Sequence, residues 1–124
     1  RVEREGYFME ATVLDKVTQD MTVAREEIFG PVLSVLEYEE PEEAIQIAND
    51  TDYGLGAGVF TKDLDKASWT ASKLESGQVY VNKWFTGSHA TPFGGYKQSG
   101  YSREKGQQAL NAYLQIKNVG ISLS

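Results

Sequence analysis

The chain has 124 residues, an ordinary apolar share of 40% and a formal net charge of −6, enough length for one packed domain and no signature of disorder. It contains no cysteine and one histidine, which excludes disulfides, thiolate metal centres and cysteine nucleophiles from these residues and argues against a histidine-based metal site. Residues 1 to 52 hold 14 acidic and 4 basic side chains, and residues 53 to 124 hold 4 and 8, so no basic stripe offers a nucleic-acid surface.

No apolar run approaches a membrane span and no signal-peptide pattern is present, which predicts a cytoplasmic protein with neither membrane nor nucleic acid as a partner. Arg1 stands where an initiating methionine would, so the sequence is expected to have been cut from something longer.

Residues 8 to 14 alternate, with Met9, Ala11 and Val13 on one face against Glu10 and Thr12 on the other, and predict an extended, half-buried segment. Asp15 to Arg25 reads as polar connection. In Glu26-Glu27-Ile28-Phe29-Gly30-Pro31-Val32, Pro31 biases Gly30 away from the right-handed helical region. The apolar run that follows predicts a strand over 32–38 covered on both sides. Glu27 and Phe29 then stand at the mouth of that strand, a carboxylate with two acceptor oxygens beside a ring able to pack on a flat heterocycle. Composition alone favours the plainer alternative of a solvated Glu pair leading into a core Phe.

Pro41 fits the first position of a helix whose first turn carries Glu42 and Glu43, with Ala44, Ile45, Ile47 and Ala48 on its buried side. The glycines of Gly54-Leu55-Gly56-Ala57-Gly58-Val59-Phe60 lead into a strand instead of following one, and Val59 stands where a dinucleotide fingerprint needs its third glycine. They are read as positions of close backbone approach. Asp63 is a fitting N-cap for a helix that Gly77 ends, with Leu64, Ala67, Ala71 and Leu74 at helical spacing. Residues 78–82 alternate as a strand. Strands and helices in this order predict a βαβαβ arrangement with a parallel sheet.

Residues 83–101 form a long loop rich in aromatics and glycine, set at the C-terminal end of a parallel strand where ligands of open α/β sheets bind. Ser102 is placed to cap a helix over 103–113 that buries Ala109, Leu110 and Tyr113, and the tail alternates with Val119, Ile121 and Leu123 on one face. His89 has no acid in a fixed partner position, so a hydrolase triad is unsupported and an exposed loop histidine is expected. Tyr96 and Lys97 lack the helical spacing that a dehydrogenase Tyr-Lys pair requires.

Four blocks carry a resemblance: Glu26 to Val32, Gly54 to Asp63, Val79-Tyr80-Val81-Asn82, and Thr91-Pro92-Phe93-Gly94-Gly95-Tyr96-Lys97-Gln98-Ser99-Gly100. In this order and spacing they resemble the C-terminal part of the catalytic domain of NAD(P)-dependent aldehyde dehydrogenases, from Gly6-Tyr7-Phe8 to Val119. The resemblance implies an α/β fold: a βαβαβ parallel-sheet core, a C-terminal helix and an extended oligomerisation strand. Residues 1–113 would be the C-terminal part of the catalytic domain and 114–124 the tail strand, through which a homo-oligomer is expected.

The activity implied is oxidation of an aldehyde to a carboxylic acid with NAD or NADP, through a thioester on a cysteine. That cysteine is not among these residues, so this chain alone is expected to be inactive and to require the rest of the dehydrogenase chain as its partner. By resemblance, Glu27 meets the hydroxyls of the nicotinamide ribose, Phe29 flanks the nicotinamide, and Leu55 is an apolar contact near the same ring. Phe93 and Phe85 are implied to contact the aldehyde substrate. Gly87 falls on the substrate tunnel where some relatives carry a bulky ring. An aromatic loop of this kind also offers cation–π attraction to a quaternary ammonium group, as in betaine aldehyde oxidation. The alternative function, of a different class, is a truncated interaction or dimerisation module of the same fold. A third is a residual nucleotide-binding module.

Overall fold

The computed structural model describes residues 5–124, so residues 1–4 of the expected catalytic-domain segment lie outside the described residues. The chain divides into two compact units, the first ending at Asp52 and the second running from Tyr53 to Ser124.

In the first unit, β1 (Thr12–Leu14) and β2 (Val32–Ser34) are parallel, with Thr12 opposite Val32 and Leu14 opposite Ser34. They are joined through α1 (Thr22–Arg25), a single turn within the stretch expected to be polar connection. Both strands are shorter than their sequence patterns. Past Leu14 and Ser34 the partners stay bridged by Val35 N–H to the Leu14 carbonyl at 2.9 Å and Val17 N–H to the Val35 carbonyl at 3.1 Å. Val17 is buried there.

The expected covering of both faces is not observed. Val13 and Leu33 are direct register partners, and both are more than 60% exposed, whereas Thr12, Leu14, Val32 and Ser34 are half-buried. The expected inward face at Met9, Ala11 and Val13 is thus the exposed one in this unit. The helix expected at Pro41 is α2 (Pro41–Asn49), with Pro41 in its first turn and Glu42 and Glu43 beside the positive end of its dipole. Ala44, Ile45 and Ile47 are half-buried as expected, and Ala48 is exposed.

In the second unit β4 (Gly56–Val59) and β5 (Gln78–Val81) are parallel and connected through α3 (Leu64–Lys73), which packs on both. Asp63 caps α3 by accepting the Lys66 N–H at 3.0 Å. Ala67 and Tyr80 are the buried side chains of this unit. The helix stops at Lys73 instead of running on to Gly77, whose absent side chain serves another purpose: a β-carbon there would stand 1.8 Å from the Gly94 carbonyl oxygen. β3 (Tyr53–Gly54) pairs antiparallel with β6 (Tyr96–Lys97), a strand inside the stretch expected to be loop.

The α/β class holds, with parallel strand pairs connected through helices. Among the described residues the expected βαβαβ order is realised as two separate parallel pairs, β2 bonded to β1 and β4 to β5. The C-terminal helix is a 3-10 helix over Gln107–Ala112 that starts after Gly106, not at Ser102, and its Leu110 and the following Tyr113 are exposed. Gly106 has φ 56°, a conformation open to glycine at little cost. Residues 114–124 form no strand pairing, and Val119, Ile121 and Leu123 are exposed.

Candidate functional site

In the first unit, Glu27 and Phe29 sit where α1 hands the chain to β2. The α1 turn closes when the Glu26 N–H donates to the Thr22 carbonyl at 2.9 Å, and Pro31 returns a carbonyl to the Thr12 N–H at 2.9 Å. Between these fixed points the backbone folds tightly enough to hold Phe29 at φ 56°. A bulky residue rarely adopts that region, and such strain, of order 1–3 kcal/mol, persists mainly where a site needs it.

The result is a hollow of about 310 Å³ lined by Val23, Glu26, Glu27, Ile28, Phe29, Gly30, Val32 and Ser34. Ser34 steadies it by donating its hydroxyl to the Val23 carbonyl at 3.1 Å. The Phe29 ring is 90% exposed, contrary to the plainer expectation of a core Phe. The Glu27 carboxylate is exposed and accepts no hydrogen bond and no ion pair among the described residues.

In the second unit, an aromatic cluster is built on a glycine floor. Gly56 and Gly58 leave one face of β4 without side chains, and the Trp84 indole lies against them, 3.3 Å from where a Gly58 β-carbon would be. Tyr80 meets Trp84 edge-on with ring centroids 5.5 Å apart, and meets Phe85 at 6.3 Å. Phe85, held at φ 55°, meets Phe93 edge-on at 6.4 Å. These offset geometries are the ones that ring quadrupoles favour. The structure therefore brings together Phe85 and Phe93, and places Leu55 with Phe93 on the wall of a hollow of about 170 Å³. Gly87 has open space where a side chain would be.

Three side chains that the sequence reading did not single out hold this cluster. Gln78 donates from Nε2 to the Pro92 carbonyl at 3.0 Å, and the Ser99 hydroxyl accepts the Gly54 N–H at 3.1 Å. Lys105 places its ammonium 5.4 Å from the centroid of the Phe93 ring. Ser99 lies within a block that carried the resemblance, whereas Lys105 lay in an expected helix and gave no signal.

His89 is exposed, and its carbonyl accepts the Gly106 N–H at 2.9 Å. Tyr96 and Lys97 are consecutive strand residues, with Lys97 paired to Glu75 at 2.8 Å and Arg103 over the Tyr96 ring at 5.3 Å. Shifted ionisation lies elsewhere, in the first unit. The Thr18 hydroxyl, with a backbone N–H and nearby Arg25, holds the Asp20 carboxyl below the usual aspartate range, and Asp50 raises Arg25 further above its ordinary value. Among the described residues no cluster of acidic, histidine or cysteine side chains could hold a metal ion, and no helix is long and apolar enough to cross a membrane.

Against known proteins, the model of the aldehyde dehydrogenase family matches residues 1–119. The chain is 51% identical over 120 residues to aldehyde dehydrogenase family 2 member B4, mitochondrial, of Arabidopsis thaliana, covering 97% of this chain and 22% of that protein. It is 49% identical over 119 residues to a betaine aldehyde dehydrogenase of Brucella anthropi, covering 96% of this chain and 24% of that one. Among solved structures, the NAD+ complex of an aldehyde dehydrogenase from Bacillus cereus superposes with a TM-score of 0.93 at 45% identity, over 100% of this chain and 25% of that chain. The chain thus spans about a quarter of the length of these relatives. With the family model matched over residues 1–119, the chain belongs to the aldehyde dehydrogenase family.

Proposed function

We propose that these residues supply cofactor-binding and substrate-contacting surfaces of an NAD(P)-dependent aldehyde dehydrogenase that oxidises an aldehyde to a carboxylic acid. The observation that carries the reading is the pairing of Glu27 and Phe29 on one hollow. The carboxylate has both oxygens free for a vicinal diol, and the ring is displayed to solvent by a strained backbone. Those groups fit the ribose and flat ring of a nicotinamide nucleotide. When bound, the nicotinamide accepts a hydride from the substrate.

Within this chain Glu27 orients the ribose through its two acceptor oxygens, and Phe29 limits where the attached ring can swing. In the second unit Leu55 offers an apolar contact for the cofactor, and Phe85 and Phe93 wall the substrate side with the space at Gly87 left open. The nucleophilic thiolate is not among these residues, since the sequence contains no cysteine. Relatives solved with NAD+ support NAD as cofactor and do not separate it from NADP.

The test is NAD+ affinity in the protein carrying these residues, measured by calorimetry before and after Glu27→Gln. Loss of a charge-assisted pair of hydrogen bonds should weaken binding about tenfold or more. Unchanged affinity in the variant would remove Glu27 from the cofactor site.

A second reading, a non-catalytic interaction module, is supported by the exposed apolar residues of the tail, Ile116, Ile121 and Leu123 among them. On either reading residues 114–124 are proposed to pair with a second copy of the chain. Aldehyde-dependent NAD+ reduction separates the two: its presence sinks the module reading, and its absence together with retained self-association sinks the enzyme.

A further inference from the structure

The Phe93 ring, on the wall of the second unit's hollow, carries a cation against it. Lys105 stands with its ammonium 5.4 Å from the centroid of the Phe93 ring. Glu104 and Phe93 exchange two backbone hydrogen bonds of 2.7 Å, and the next residue, Lys105, is held in the left-handed region at φ 59°. A lysine pays for that conformation, and here it turns the side chain toward the ring. Among the described residues that line the hollow with Leu55 and Phe93, Glu104 is the ionisable one. Arg103 also stands beside this hollow, its Nη1 donating to the Gly95 carbonyl at 2.8 Å, so Lys105 is the cation that covers the ring itself; without it the Phe93 face would be open to an organic cation.

We propose that Lys105 is a specificity residue. It occupies the Phe93 ring with the protein's own charge and offsets Glu104, so the site admits neutral and anionic aldehydes and turns away those carrying a quaternary ammonium group. The inference rests on the reading of Phe93 as a substrate-contacting ring. It also parts this chain from what similarity to a betaine aldehyde dehydrogenase would suggest, since identity to that relative is nearly the same as to the plant protein.

The experiment compares three aldehydes of matched length, ending in a methyl, a trimethylammonium or a carboxylate group, in the protein as isolated and in Lys105→Met, Lys105→Arg and Phe93→Leu. In Lys105→Met the ratio of kcat/KM for the cationic to the neutral aldehyde should rise about two- to fivefold. Lys105→Arg should keep the original ratio. Titration with tetramethylammonium chloride, read from aromatic ring-proton shifts, reports the same selectivity without turnover, with binding gained in Lys105→Met alone.

A fall in kcat/KM by the same factor for all three aldehydes in Lys105→Met, or no gain of tetramethylammonium binding, overturns the proposal. If Phe93→Leu leaves every KM unchanged, the substrate-contact reading of Phe93 fails instead, and the specificity role falls with it.

Discussion

Asn82 and Thr61 hold each other by two reciprocal hydrogen bonds: the Thr61 N–H donates to Asn82 Oδ1 at 2.8 Å, and Asn82 Nδ2 donates to the Thr61 carbonyl at 2.7 Å. Asn82 follows the last residue of β5 with φ 54°, a conformation its short polar side chain tolerates better than most. This clasp fixes the point from which the chain departs toward Trp84 and Phe85. Asn82→Ala deletes both bonds and leaves a β-carbon in left-handed geometry, so unfolding in urea should show a loss of about 1–3 kcal/mol. Asn82→Gly relieves only the backbone part and should recover a fraction of that loss. An alanine variant as stable as the parent would mean that the clasp contributes nothing.

The N-cap of α3 gives a cleaner single-bond experiment. Asp63 accepts the Lys66 N–H at 3.0 Å at a terminus that also carries Asp65 in its first turn. Asp63→Ala should cost about 1 kcal/mol in thermal or urea unfolding, and Asp63→Asn, which keeps the acceptor, should lie near the parent. Equal losses in the two variants would point to charge instead of the capping bond.

Acid should act on the first unit through Asp20. The carboxyl is held below its ordinary range chiefly by the Thr18 hydroxyl. A group depressed in the folded state contributes stability that is present above its unfolded value and is lost as pH falls through its folded value. Carboxyl carbon shifts followed by NMR should therefore show Asp20 titrating below a typical aspartate. Thr18→Val should move the midpoint upward toward the unfolded value and so make the acid-induced loss smaller. A midpoint that does not respond to Thr18→Val would leave the hydroxyl without a role.

Helices were legible wherever their ends carried chemistry. Pro41 with its two glutamates and Asp63 with its capping carboxylate announced α2 and α3, and the structure starts both there. α1 was not legible, because Met21 caps it without a side-chain bond and one turn makes no periodic pattern. The strand expected over 32–38 follows apolarity, but pairing decides where a strand ends, and Leu33 finds no cover within its unit. The family resemblance points to Glu27, Phe29, Leu55, Phe85, Gly87 and Phe93, yet nothing in those residue types announces φ near 55° at Phe29 and Phe85. Left-handed geometry at a bulky residue is imposed by the surrounding hydrogen bonds, and Lys105 at φ 59° is a further case that residue type does not announce.

Two glycines in the second unit should behave oppositely on substitution. At Gly77 a β-carbon would lie 1.8 Å from the Gly94 carbonyl oxygen and 3.2 Å from the Gly95 α-carbon, both backbone atoms of the segment that carries Phe93. Gly77→Ala must push β5 and that segment apart, and a loss of about 1–3 kcal/mol or more is expected in urea unfolding. Gly87 meets nothing within 4 Å, so Gly87→Ala should stay within about 0.5 kcal/mol of the parent. The same open space lets Gly87→Phe test the substrate side without a stability effect. A ring there should raise KM for bulky aldehydes while leaving that for short ones nearly unchanged, because only large substrates would need the volume it fills. If KM rises equally for short and long aldehydes, the space at Gly87 does not set substrate size, and the preference must come from Phe85, Phe93 and Trp84.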